Sequence, residues 1–325
     1  MVIINEISKN IWPLYIPPEK DELFSSWFCR LSNNHLIRSE SFLTNYFGRS
    51  TPFWNRDIDM SIPKNYINEI FNHTPIKIEQ IENLFLTSYE LFAFEKANPN
   101  GITTNVLSLG IKHRKRKFNS LLFCPICLSK STPYFKKPWR LSTSLICTEC
   151  NSYLIDKCPN CKNPISFHRN NINKINNSTS QCNPLNICEC SYDLSLSKID
   201  VKPSELEIKY QNFIDTTINN GYNHHTQYSF LYIRGLLMIA YSIGRNNPKN
   251  KLNLIISEIY ECEIPRVSNH YWLWSLEERK KILPLSYLLL ENYPIQISEV
   301  LRIAGINRSD FFGLPYFIES KIINK

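Results

Sequence analysis

The sequence predicts a mostly α-helical fold interrupted by a small β section held together by cysteine knuckles. Three observations carry that expectation. Apolar residues recur at helical spacing on both sides of the middle of the chain, six cysteines fall into three CxxC pairs between Cys124 and Cys161, and the stretch after them is too rich in Asn, Ser and Pro to build a core. At 325 residues, with 43% hydrophobic and 13% aromatic content, the chain can hold two or three domains. The pattern divides it into an N-terminal helical, helix-turn-helix-like region (1–118), a tandem cysteine-knuckle region (119–198) and a C-terminal helical domain (199–325).

In PPEKDELFSSWFCRL, Asp21 is the expected N-cap, and Leu23, Trp27, Phe28 and Leu31 recur on one helical face. A second amphipathic stretch runs from Ser41 to Phe47, so this part reads as a packed helix pair, with DNA contact by a helix-turn-helix as the alternative. Beyond the cysteines, Ser204 to Glu207 spells a capping box that opens a helix through Ile218. Phe230 to Ile243 reads as a buried core helix, too short to cross a bilayer of roughly 30 Å. Ser275 to Glu278 repeats the capping signature, and Pro284 ends or kinks the helix it starts. Val300, Leu301 and Ala304 then precede a turn at Gly305 and a new helix start at Asn307 to Asp310, which Gly313 and Pro315 cut short. Cys29 and Cys262 stand alone on apolar faces and read as small core residues.

The opening MVIINEISKNIWPLYIPP shows no basic start followed by a long apolar stretch, so a reducing, cytoplasmic setting is expected. There, CxxC pairs are more often metal ligands than disulfides. Cys124 and Cys127 pair with Cys147 and Cys150 across 19 residues, the spacing of a zinc ribbon. Cys158 and Cys161 pair with the CxC of Cys188 and Cys190, with Cys182 and His168 as competing ligands. Two tandem zinc ribbons with two structural Zn²⁺ ions are therefore expected. Four thiolates leave no open position for water or substrate, and metal binding becomes folding energy for a section without its own core.

The charge is as uneven as the cysteines. Residues 96–140 carry ten Lys or Arg and no Asp or Glu, so against a net charge of +8 the rest of the chain sums to −2. KHRKRK leads into the first knuckle, and further basic residues sit beside Tyr134, Phe135 and Trp139. Lys112, Arg114, Lys115, Arg116, Lys117, Lys136, Lys137 and Arg140 are the candidates for nucleic-acid or partner binding, because clustered cations with aromatics suit a polyanion. An acidic protein partner is the alternative. The chain has no GxxxxGK[ST] phosphate loop and no HExxH motif, which argues against ATP or zinc-dependent hydrolysis. A nuclease or recombinase built on dispersed carboxylates, and a zinc-ribbon transcription regulator, are the rival readings.

CPICL, Tyr134, Trp139, the second Cys pair followed by Leu154, CPNC with Pro164 and Ile165, and the CxC with Asp193 and Leu194 together resemble the TniQ/TnsD family of transposon target-selection proteins. Pro18, Asp21, Glu22, Ser26, Trp27 and Arg30 fit the same family's N-terminal pattern, so the resemblance covers about residues 12–195. One departure is Cys150, where the family commonly has His; tetrahedral zinc accepts either. The resemblance implies a non-catalytic adaptor in the bacterial cytoplasm. It would link a target, either a CRISPR Cascade ribonucleoprotein or DNA bound directly, to a TnsC-like AAA+ ATPase, with a homodimer as one option and no membrane partner. The extra DNA-reading domains of direct binders find little room in 325 residues, which favours docking on an RNA-guided complex.

Overall fold

A computed structural model describes residues 10–48, 53–98, 100–169, 183–245, 251–268 and 270–305. Cys182 and the expected helix start at Asn307 to Asp310, with Gly313 and Pro315, lie outside the described residues. The elements in chain order are α1 (Phe24–Asn34), α2 (Ser39–Phe47), α3 (Lys64–Asn72), α4 (Ile78–Glu82), α5 (Pro125–Leu128), β1 (Ile146–Cys147), β2 (Ser152–Tyr153), α6 (Glu205–Asn220), α7 (Ser229–Gly244), α8 (Lys251–Ile259), α9 (Leu276–Glu291) and α10 (Ile295–Ala304). The fold is thus mostly helical, and β1 and β2 pair antiparallel, with Ile146 opposite Tyr153 and Cys147 opposite Ser152. The chain divides into two compact units, each assembled from three separate stretches.

The first unit gathers Met1–Ser88, Leu109–Arg140 and Ile155–Lys198. Its core is aromatic: Phe24, Phe28, Phe42, Phe53 and Trp12 are buried, and Phe24 stacks on Phe85 at 4.6 Å. The expected face of Leu23, Trp27, Phe28 and Leu31 is fully buried. The expected cap is not in place. Leu23 occupies the N-cap position, while Asp21 adopts a left-handed φ of 56° and its carbonyl accepts the Lys137 amide at 2.7 Å. The capping carboxylate comes from far along the chain: Asp59 accepts the Ser25 amide at 2.8 Å and the Ser25 hydroxyl at 2.9 Å. One orphan donor of the helix N-terminus is satisfied this way, by a tertiary rather than a local partner.

The second unit gathers Tyr89–Ser108, Leu141–Leu154 and Ile199–Lys325. Both expected capping boxes are present, at Ser204 with Glu207 and at Ser275 with Glu278. The expected core helix is α7, buried at Ile233, Leu236, Ile239, Ala240 and Ile243. At the end of α7, a Cβ on Gly244 would lie 2.7 Å from Ile282 and 2.8 Å from Val267, so glycine permits the close approach of α9. Pro284 removes one backbone donor yet does not end α9, which continues to Glu291. Gly305, at φ 59°, closes α10 as its left-handed C-cap. Cys29 is buried as expected, whereas Cys262 is only half-buried.

Candidate metal centres and the basic hairpin

Among the described residues, two groups of side chains have metal-ligand character: Cys124, Cys127, Cys147 and Cys150, and Cys158, Cys161, Cys188 and Cys190. Within each group the four sulfurs lie within 4.8 Å of one another. In the second group Cys158 and Cys190 are 3.7 Å apart and Cys161 and Cys188 are 3.8 Å apart. Four sulfurs placed about 2.3 Å from one tetrahedral ion stand about 3.8 Å apart, so the residues fit such an ion.

Local backbone geometry makes the knuckles. Cys124 caps α5, whose first turn carries Cys127. The other three pairs end in a residue at positive φ: Asn151 at 46°, Lys162 at 62° and Ser191 at 70°. Tight turns precede those residues, with the Cys150 amide on the Cys147 carbonyl at 3.1 Å and the Ser191 amide on the Cys188 carbonyl at 2.8 Å. His168 is not in the second group. Its ring stacks on Trp54 at 4.4 Å, and its Nε2 faces the Arg114 carbonyl at 3.2 Å. A carbonyl only accepts, so Nε2 carries the proton. Burial, with the Arg116 charge adding to it, holds the His168 pKa well below its ordinary value.

The eight basic candidates divide evenly. Lys112, Arg114, Lys115 and Lys117 are exposed, whereas Arg116, Lys136, Lys137 and Arg140 are buried. Arg140 places Nη2 2.6 Å from Asp57 Oδ2 and Nη1 3.2 Å from both Asp57 Oδ1 and Asp59 Oδ2. Burial alone would push the Asp59 carboxyl toward its protonated form; Arg140 and the Ser25 amide oppose that. Lys137 Nζ donates to the Asn83 carbonyl, to Asn83 Oδ1 at 3.2 Å and to Ser88 Oγ at 2.9 Å. Desolvation lowers its pKa. Arg116 donates to the Ile165 carbonyl at 2.9 Å and lies over the Phe167 ring, and burial pulls its pKa down to about 10. Lys136 lies over the rings of Tyr134 and Trp139.

The model of the TniQ family matches residues 13–152. This stretch of the chain is similar to the TniQ family. The match implies a transposition-associated role in target selection. The chain matches no curated protein.

Within the TniQ region, the N-terminal residues that carried the resemblance form one network. Glu22, fully buried, accepts from Ser26 Oγ at 2.7 Å, from Arg30 Nε at 2.8 Å and Nη2 at 2.7 Å, and from the Glu19 amide at 2.9 Å. Trp27 Nε1 donates to the Ile16 carbonyl at 3.0 Å, which ties the proline-rich entry to α1. Ser26 Oγ also accepts the Phe135 amide at 3.0 Å, and Leu23 donates to the Phe135 carbonyl at 2.9 Å. The motif therefore docks the start of the TniQ region onto the basic stretch, a structural task. Asp57 and Asp59, which decide the fate of Arg140, carried no signal in sequence, because an Asp pair two residues apart names no partner 80 residues away.

Among the described residues no helix is long and apolar enough to cross a membrane.

Proposed function

We propose that this chain is a non-catalytic target-selection adaptor of DNA transposition that links a marked target to an AAA+ ATPase. The observation that supports the reading is the TniQ match over residues 13–152, a span that holds all four cysteines of the first knuckle group. We take the ions to be zinc, since tetrahedral thiolate sites suit zinc or iron–sulfur clusters and a ribbon needs no redox chemistry. Both sites are closed by four thiolates and serve as structure. Elemental analysis of the purified protein, never exposed to chelator, should find two zinc ions per chain. Iron or an empty protein that is nonetheless folded would reject the assignment.

Of the two target modes, docking on an RNA-guided ribonucleoprotein is favoured over direct sequence reading. Half of the candidate nucleic-acid residues are buried, and the exposed ones sit on a tight turn rather than a recognition helix. Co-expression with the genes of its own locus should recover a complex with the ribonucleoprotein and the ATPase. Selection of random duplexes with the isolated protein decides the mode: enrichment of one motif would replace docking with direct reading. Loss of targeted insertion when the chain is deleted is expected, and unchanged insertion would end the target-selection reading altogether.

A further inference from the structure

We infer that the Lys112–Lys117 hairpin is a preorganised binding element for the phosphate backbone of nucleic acid. Lys112 and Lys115 exchange both backbone hydrogen bonds, at 2.9 and 3.0 Å, around a two-residue turn. His113 and Arg114 hold φ values of 49° and 63°, as a type I′ hairpin requires. The base of the hairpin is equally fixed. Lys117 and Phe118 both donate to the Leu109 carbonyl, and Phe118 lies 2.6 Å from where a Cβ would stand on Gly110, so only glycine lets that ring close over the turn. Arg116 points inward to the Ile165 carbonyl and the Phe167 ring, and the Arg114 carbonyl faces His168. The buried cation anchors the hairpin; the exposed ones are displayed by it.

Four cations thus stand on six residues of rigid backbone, which reduces the ordering cost of binding. Lys112, Lys115 and Lys117 have no ion-pair partner among the described residues, and Arg114 has a long one, 3.5 Å to Glu40. Protein interfaces are depleted of Lys and centre on apolar anchors, whereas phosphate contacts are made by Lys and Arg. The exposed tip carries cations and no apolar residue, so a polyphosphate fits it better than an acidic protein surface. The inference stands on this geometry and not on the target-selection reading, so a null transposition assay leaves it intact.

The test uses the full zinc-loaded chain, a fluorescent duplex and a single strand of mixed sequence, and a salt titration. A triple variant Lys112→Gln, Lys115→Gln, Lys117→Gln is compared with Lys157→Gln, Lys198→Gln, Lys202→Gln, which removes the same charge at exposed positions elsewhere. The hairpin variant should lower the log–log salt slope by about 3 on the duplex and about 2 on the single strand, one contact per lysine. The control should change it by less than 1. Equal losses in both variants would mean diffuse charge, and no loss in the hairpin variant would mean a solvated turn; either overturns the inference. Displacement of the duplex by polyglutamate at equal charge concentration would also overturn it, in favour of an acidic protein. Glu40→Gln should tighten binding, by up to about fivefold, by releasing Arg114.

Discussion

The basic stretch contains two sets of four cations with opposite fates. Lys112, Arg114, Lys115 and Lys117 stand in solvent, while Arg116, Lys136, Lys137 and Arg140 are buried, Arg140 completely. The difference lies in their partners. The buried set meets Asp57, Asp59, Asn83 and Ile165, and an ion taken out of water persists only where such groups receive it. Net charge therefore overstates the electrostatic footprint of this region, since half of its candidate cations are internal struts. The cysteine knuckles and the basic run sit side by side in sequence for a structural reason as well as an electrostatic one.

Arg140 offers the largest test of that contrast. Arg140→Ala leaves Asp59 buried at zero exposure, with Asp57 beside it only partly exposed, and should cost about 3–5 kcal/mol in denaturant unfolding of the metal-loaded protein. Combining Arg140→Met with Asp57→Asn and Asp59→Asn should recover much of the loss, because the penalty comes from the stranded carboxylates. A single-variant cost below 1 kcal/mol would place Arg140 with the exposed set.

Lys137 comes next. Lys137→Met keeps the buried stem and removes the ammonium from the Asn83 carbonyl, Asn83 Oδ1 and Ser88 Oγ. Leaving those acceptors without their donor should cost about 1–3 kcal/mol by the same measurement. Burial lowers the Lys137 pKa, and the nearby Asp21 charge opposes that shift.

What the sequence revealed and what it hid divide along the same line. The capping boxes at Ser204 and Ser275 were legible because both partners lie within three residues. The knuckle groups were legible because thiol spacing constrains what can meet, and His168 drops out of the second group only once its stack on Trp54 is seen. Asp21 was misread as a cap because the carboxylate that serves α1 comes from Asp59, 34 residues from Ser25. Burial of Arg140 rests on Asp57 and Asp59, more than 80 residues earlier. Local chemistry is written locally; the fate of a charge is not.

Acid should expose the hairpin's inner support. His168 is buried beside Arg116 with its pKa held well below the usual 6.5, so the folded state binds fewer protons than the unfolded chain in that interval. Its contribution to stability is complete above about pH 6.5 and is lost as pH falls toward the folded pKa, by up to about 1.4 kcal/mol per pH unit. The difference in unfolding free energy between the parent and His168→Gln, followed from pH 7.5 to 5, isolates this group. A difference that does not vary with pH would show that His168 takes up a proton without strain, and that its neighbourhood is more open than the Trp54 stack implies.

The smallest expected effect completes the contrast. Lys115 is exposed and has no ion-pair partner among the described residues, and its backbone, not its side chain, closes the hairpin with Lys112. Lys115→Gln keeps both backbone hydrogen bonds and relieves repulsion from Lys112, Arg114 and Lys117. The unfolding free energy should therefore stay within about 0.5 kcal/mol of the parent, with a slight gain at low salt where like charges repel most. Arg116→Gln, one residue along, removes a buried guanidinium from the Ile165 carbonyl and the Phe167 ring and should be clearly destabilising at any salt. Equal losses at 115 and 116 would mean that the turn does not separate an outer from an inner face, and the division of the basic stretch into display and anchor would fail at its tip.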